Sequence, residues 1–194
     1  MFIGLSTLAL GEEIIRLTTT EYAPFTSESL RYNGVVNRII TESFALEGVR
    51  GIYDYFPAKR ALQHAKKEGW VGSSCWYKTP EREKYFLFSD VVKNATFSFF
   101  HKKAFPFNWN KLEDLENINI GFDLLHKYLT SKDFLQITFH PKPLKESPAY
   151  LLLSKDDENN EHRLMLFNNG LKRLKDNGGY DQCFEEFRRG EYIK

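Results

Sequence analysis

Apolar positions along this chain switch between two periods. Residues 14–20 (IIRLTTT) are rich in β-branched side chains and predict a first strand. Residues 21–25 (EYAPF) follow as a turn, because Pro24 has no amide proton to give a central ladder. Over 34–47 (GVVNRIITESFALE), Val35, Val36, Ile39, Ile40 and Phe44 recur on one helical face, and Gly48 suits the helix end. Residues 52–56 (IYDYF) predict a second strand. Ala58, Ala61, Leu62 and Ala65 then mark a small-residue helix that ends near Gly69. Residues 70–77 (WVGSSCWY) predict a third strand, whose small side chains let a ligand or a backbone approach closely. Strands alternating with helices on short links predict an α/β fold with a mostly parallel sheet covered by helices.

Further on, Thr79, Pro80, Glu81, Arg82 and Glu83 spell a helix start: a capping hydroxyl, a proline for the first helical position and an acid for the dipole. Residues 86–89 precede a long aromatic strand at 95–101 (ATFSFFH). A helical turn is expected at 112–115, a brief strand at 118–121, and a short helix through Leu124, Leu125, Tyr128 and Leu129. Strands at 137–139 and 150–153 flank a proline-rich turn at 141–148. Leu164, Phe167, Leu171 and Leu174 form a helical stripe that stops at Gly178 and Gly179, and Tyr180, Cys183, Phe184 and Phe187 mark a last amphipathic segment.

Composition narrows the function classes. The 194 residues are 42% hydrophobic, enough for a packed core, and 27 Lys and Arg nearly balance 26 Asp and Glu. No basic excess points to nucleic acid as a partner. Cys75 and Cys183 are far apart and no CxxC spacing occurs, so neither a metal nor a cofactor is expected. The two cysteines are expected as separate thiols, with one disulfide as the alternative in an oxidising compartment. Residues 1–10 (MFIGLSTLAL) are apolar, and Ala9-Leu10-Gly11 is a small-x-small triplet ahead of Glu12. Residues 1–11 therefore read as a signal-peptide remnant, which implies export to the periplasm or the cell exterior. A buried N-terminal strand is the other reading. No later apolar run approaches the ~20 residues that span a bilayer.

The order of pieces resembles the family-3 extracellular solute-binding proteins, the polar-amino-acid receptors of ABC importers. The matching segments are 17–26 (LTTTEYAPFT), 34–49 (GVVNRIITESFALEGV), 138–155 (TFHPKPLKESPAYLLLSK) and 167–182 (FNNGLKRLKDNGGYDQ). Most specific is 76–90 (WYKTPEREKYFLFSD), where TPER is followed by F-S-D. The resemblance implies a periplasmic-binding-protein-like (type II) lobe formed by 12–116 with 138–194. Residues 117–137 would be a truncated remnant of the second lobe, too short for a hydrophobic core of its own. Such a remnant must pack on the first lobe, pair with another molecule, as in a homodimer, or stay loosely ordered. The implied partners are an amino acid or similar small polar solute and an ABC transporter permease.

A receptor for an amino acid must satisfy a carboxylate and an ammonium once water is removed. A guanidinium fork at a helix start suits the carboxylate. Arg82 offers it and falls where the family's carboxylate-binding arginine sits; a solvated pair with Glu81 or Glu83 is the ordinary alternative. Cys75 and Tyr77 alternate onto one face of their strand, with Trp76 on the other. On the resemblance they line the cleft; for Cys75, plain core packing is equally open. Glu21 and Tyr22 end the first strand, where open α/β sheets bind ligands, and Tyr22 could instead be a half-buried turn residue. Asp123 resembles the ammonium-binding aspartate of the second lobe, with helix capping as its alternative.

Enzyme chemistry finds little support in the chain, and none is expected. Cys75 stands in no signature that pairs it with His64, His101, His126, His140 or His162, and no GxSxG, Walker or dinucleotide fingerprint occurs. Some proteins of this fold are periplasmic dehydratases that use a cleft carboxylate; Glu21 is the one candidate here, and it has no partner acid. A degenerate relative that keeps the lobe without tight binding is the main alternative.

Overall fold

The computed structural model describes residues 13–105, 107–115 and 136–193. The expected signal remnant at 1–11 and the expected elements at 118–121 and 124–129 lie outside them. In chain order the described residues form β1 (Glu13–Thr19), α1 (Val35–Ala45), β2 (Val49–Tyr55), α2 (Ala58–His64), β3 (Gly72–Tyr77), α3 (Pro80–Glu83), β4 (Phe86–Phe88), β5 (Lys93–Phe97), β6 (Phe100–Lys102), β7 (Ile137–Phe139), β8 (Lys145–Ser154), α4 (Asn160–Asp176) and α5 (Gly179–Arg188).

β1 pairs in parallel with β2 on one side and β3 on the other. β8 runs antiparallel between β3 and β4, giving the order β2-β1-β3-β8-β4. Four of these five strands therefore point one way and β8 opposes them, and β5 joins the sheet as a sixth strand by pairing with β8; the mostly parallel α/β sheet expected from the sequence is present.

Alternation along the strands feeds two apolar layers. Ile15 and Leu17 of β1 and Leu151 and Leu153 of β8 face α1, α4 and α5, and meet Val35, Val36, Ile39, Ile40, Phe44, Phe167 and Leu171 in one core. On the other face Leu152 joins Ala61, Ala65, Trp76 and Phe86, and the Thr18 hydroxyl donates to the Ala61 carbonyl at 2.9 Å, which anchors α2. Each large side chain so buried contributes about 1.5–3 kcal/mol. The helical stripe read from 34–47 is the inward face of α1, every one of its five apolar residues being fully buried. Arg38 of α1 bonds Glu42 at 2.6 Å and also pairs with Glu186 of α5, tying two helices together at the rim of this core.

Two expectations are corrected. The aromatic run 95–101 is not one strand: the ladder breaks between β5 and β6, and Phe97 and Phe100 are both exposed. The turn expected at 141–148 gives way to β8 from Lys145 onward. Pro148 is tolerated because pairing with β3 starts one residue later, at Ala149 opposite Tyr77. The chain divides into two compact units, Met1–Asn94 with Pro148–Lys194, and Ala95–Ser147. Residues 95–116 and 138–147, which the resemblance assigns to the first lobe, fall within the second of these units. That unit has a small aromatic cluster of its own, Phe99 and Trp109 with Phe107 and Leu144 packed against them.

α4 crosses α1 so closely that a β-carbon on Gly170 would stand 1.9 Å from the Ser43 carbonyl oxygen. Gly170→Ala is expected to push the helices apart and cost about 1–3 kcal/mol. Urea denaturation followed by circular dichroism checks this, and an unchanged midpoint would contradict the packing described.

Candidate functional site

The three parallel strands end on one edge of the sheet: β1 runs into residues 20–22, β2 into 56–58 and β3 into 78–82. Carboxyl ends of parallel strands are where open α/β sheets place ligands. A hollow of about 450 Å³ opens there, lined by residues 20–22 and 55–58. A larger hollow, about 600 Å³, lies at the opposite edge where β1 and β3 begin, and no candidate site residue lines it.

Arg82 sits in α3, whose start is capped as the sequence predicts: the Arg82 amide donates to Thr79 Oγ1 at 3.3 Å behind Pro80. With four residues the helix has little dipole of its own, so the guanidinium carries the site. It stacks 4.8 Å from the Trp76 ring, and one of its N–H groups donates to the Tyr77 carbonyl at 2.5 Å. Both neighbouring acids are taken elsewhere, Glu81 by Lys84 at 2.9 Å and Glu83 by Lys78 at 2.7 Å. Among the described residues no carboxylate pairs with Arg82, so the solvated pair with Glu81 or Glu83 is not what forms. Arg82 is half-buried, and that burial, with no anion to offset it, holds its pKa below the ordinary arginine value.

The end of β3 gathers three further residues. A bulge between Ser73 and Trp76 puts Cys75 at φ +64°, a left-handed backbone uncommon for a residue with a β-carbon. From the bulge onward burial alternates as expected: Trp76 is buried while Cys75 and Tyr77 are half-buried. Tyr77 is hydrogen-bonded to Tyr22 of the β1 turn, and burial first, then the nearby Tyr22 and Cys75, push its pKa up to about 12. Tyr22 also lines the smaller hollow, is 48% exposed, and packs its ring 5.5 Å from that of Phe25. Cys75 packs against the main core, and burial raises its thiol to about 11. Cys75, Tyr77, Tyr22 and Arg82 are thus brought together.

Glu21 lines the hollow, but its carboxylate closes a local turn by accepting the Glu28 amide at 2.8 Å. Asp123 lies outside the described residues. Both cysteines are free thiols. Beneath the strand ends runs a polar network with no sequence signature: Ser74 Oγ donates to Asn37 Oδ1 at 2.7 Å and accepts from the Thr19 hydroxyl at 2.8 Å, and Asn37 Nδ2 donates to the Tyr55 hydroxyl at 3.2 Å. It ties α1 to the ends of β1, β2 and β3.

One charged residue escaped the sequence pattern. Lys93 opens β5, is 7% exposed, and holds its ammonium 3.3 Å from the centre of the Phe25 ring. It stands beside Cys75, and burial lowers its pKa. The signal that could have found it is period two: extending the strand back from Ala95 puts Lys93 on the same, inward face.

No family model matches this sequence, and no curated protein does. Solved structures match its fold. An ancestral cationic amino acid solute binding protein, AncCDT-1, superposes with a TM-score of 0.65 at 19% identity, over 93% of this chain and 96% of that one. A mutant of ArgBP from T. maritima gives 0.61 at 17%, over 89% and 94%. Substrate binding domain 2 of GlnP from Lactococcus lactis, in its open conformation, gives 0.62 at 14%, over 90% and 94%. The chain therefore has the periplasmic-binding-protein-like fold that the sequence resemblance implied.

A thiol held at about 11 stays protonated at neutral pH. Alkylation of Cys75 by iodoacetamide, located by mass spectrometry, is expected to be slow at pH 8 and to rise steeply from pH 9 towards 11. Rapid modification at pH 8 would contradict the burial assigned to it.

Proposed function

We propose that this protein is an exported receptor for an amino acid or a similarly small polar solute, held at the carboxyl edge of β1, β2 and β3, and that it serves an ABC importer. The observation that carries the proposal is the half-buried Arg82 guanidinium, stacked on Trp76 with no carboxylate partner among the described residues. Taking a guanidinium out of water without an anion costs free energy that a ligand carboxylate would recover through a charge-assisted, two-pronged hydrogen bond. Trp76 fixes the plane of the fork and the Tyr77 carbonyl takes one N–H, which leaves other donors for the solute. Tyr22, at the rim of the hollow, supplies a ring to stack on and a hydroxyl. The names of structures with this fold support an amino acid as the solute.

Binding without chemistry fits the two groups that catalysis would need. Glu21 is occupied by the Glu28 amide, and Cys75 is a poor nucleophile with its thiol raised to about 11. On the resemblance, a second copy of the chain supplies the far wall of the site.

Thermal shift against common amino acids tests the proposal. A solute at 100 times its Kd is expected to add ~2.7 kcal/mol of stability, and Arg82→Ala to abolish the effect while leaving the unliganded protein folded. No response to any amino acid, in a folded protein, would favour a scaffold that has lost its ligand.

A further inference from the structure

We infer that the solute carries a second anionic group, received by Lys93, and is therefore a dicarboxylate such as an acidic amino acid. The inference rests on the receptor reading above and narrows it. Lys93 is more than nine-tenths buried, yet among the described residues no carboxylate pairs with it and no oxygen accepts a hydrogen bond from its ammonium. The Phe25 ring lies 3.3 Å from its ammonium, and the neutral Cys75 thiol stands nearby. A ring face attracts a cation but does not replace the hydrogen bonds that an ammonium gives up on leaving water.

The residues around Lys93 close a circuit with the site. Phe25 packs on Tyr22, Tyr22 bonds Tyr77, Tyr77 neighbours Cys75, and Cys75 neighbours Lys93. Arg82 joins the same circuit through the Tyr77 carbonyl. The two cations approach the end of β3 from its two faces. Arg82 comes from the side of Trp76 and α2, and Lys93 from the side of Cys75 and α1. A solute with one carboxylate would leave Lys93 without an anion, and a cationic side chain would be repelled by it.

Calorimetric titration of the whole chain with L-glutamate, L-aspartate, L-glutamine, L-asparagine and L-lysine tests the assignment. The wild type is expected to bind an acidic amino acid at least about tenfold more tightly than its amide or than lysine. Lys93→Met, close in volume and without charge, is expected to lose that preference and bind an acidic amino acid no more tightly than its amide, while Lys93→Arg retains it. Circular dichroism of both variants establishes that they fold. Wild-type preference for an amide or for lysine, lost in Arg82→Ala, would overturn the second anion and leave the receptor standing. Lys93→Met that binds glutamate like the wild type and loses only thermal stability would make Lys93 a packing residue. Heat with none of these solutes would overturn receptor and inference together.

Discussion

The antiparallel contact between β3 and β8 is the constraint on which the rest of this lobe depends. At Gly72 the strands approach until a β-carbon would lie 1.9 Å from the Leu152 carbonyl oxygen, so no larger residue fits without displacing β8. β8 in turn feeds both apolar layers, Leu151 and Leu153 into one and Leu152 into the other. Moving it would open two cores at once. Such a fixed frame is what allows the end of β3 to hold a bulge, a left-handed Cys75 and the tight turn into α3. The candidate site is built from those irregular residues, and their strain is borne by the packing around them.

Electrostatics separates that edge from the rest of the molecule. Arg38 and Arg163 are the more deeply buried comparisons, and each is met by two carboxylates, Glu42 and Glu186 for one and Glu13 and Asp157 for the other. Arg16, more exposed, is held by both oxygens of Asp54. Arg82 and Lys93 have no such counter-charge among the described residues, although each is withdrawn from water. Fold economy does not explain the difference, because an unpaired buried cation weakens a protein. The proposed site, kept ready for an anionic solute, would.

Much of this was legible in the sequence, for identifiable reasons. The Val35-to-Phe44 stripe, the Leu164-to-Leu174 stripe and the Thr79–Pro80 cap are local signals, and they gave α1, α4 and α3 within a residue or two at most points. Arg82 followed from the cap and the family resemblance. Non-local facts were not legible. Pro148 looked like a turn because nothing local says that the β3 ladder begins at Ala149. The aromatic run after Asn94 looked like one strand because exposure, which splits it, depends on tertiary neighbours. Lys93 was passed over because a lysine at a strand's start is ordinarily solvated; its burial depends on Phe25, almost seventy residues earlier in the chain.

The central claim is that Arg82 waits for a carboxylate. The ¹⁵Nε–¹Hε spectrum of the arginine side chains, recorded before and after saturation with the tightest-binding amino acid, tests it most directly. The account predicts that one Nε–Hε resonance, identified by its absence in Arg82→Lys, moves and sharpens on binding while those of Arg38 and Arg163 stay in place. A bound solute that leaves the Arg82 resonance unmoved would contradict it.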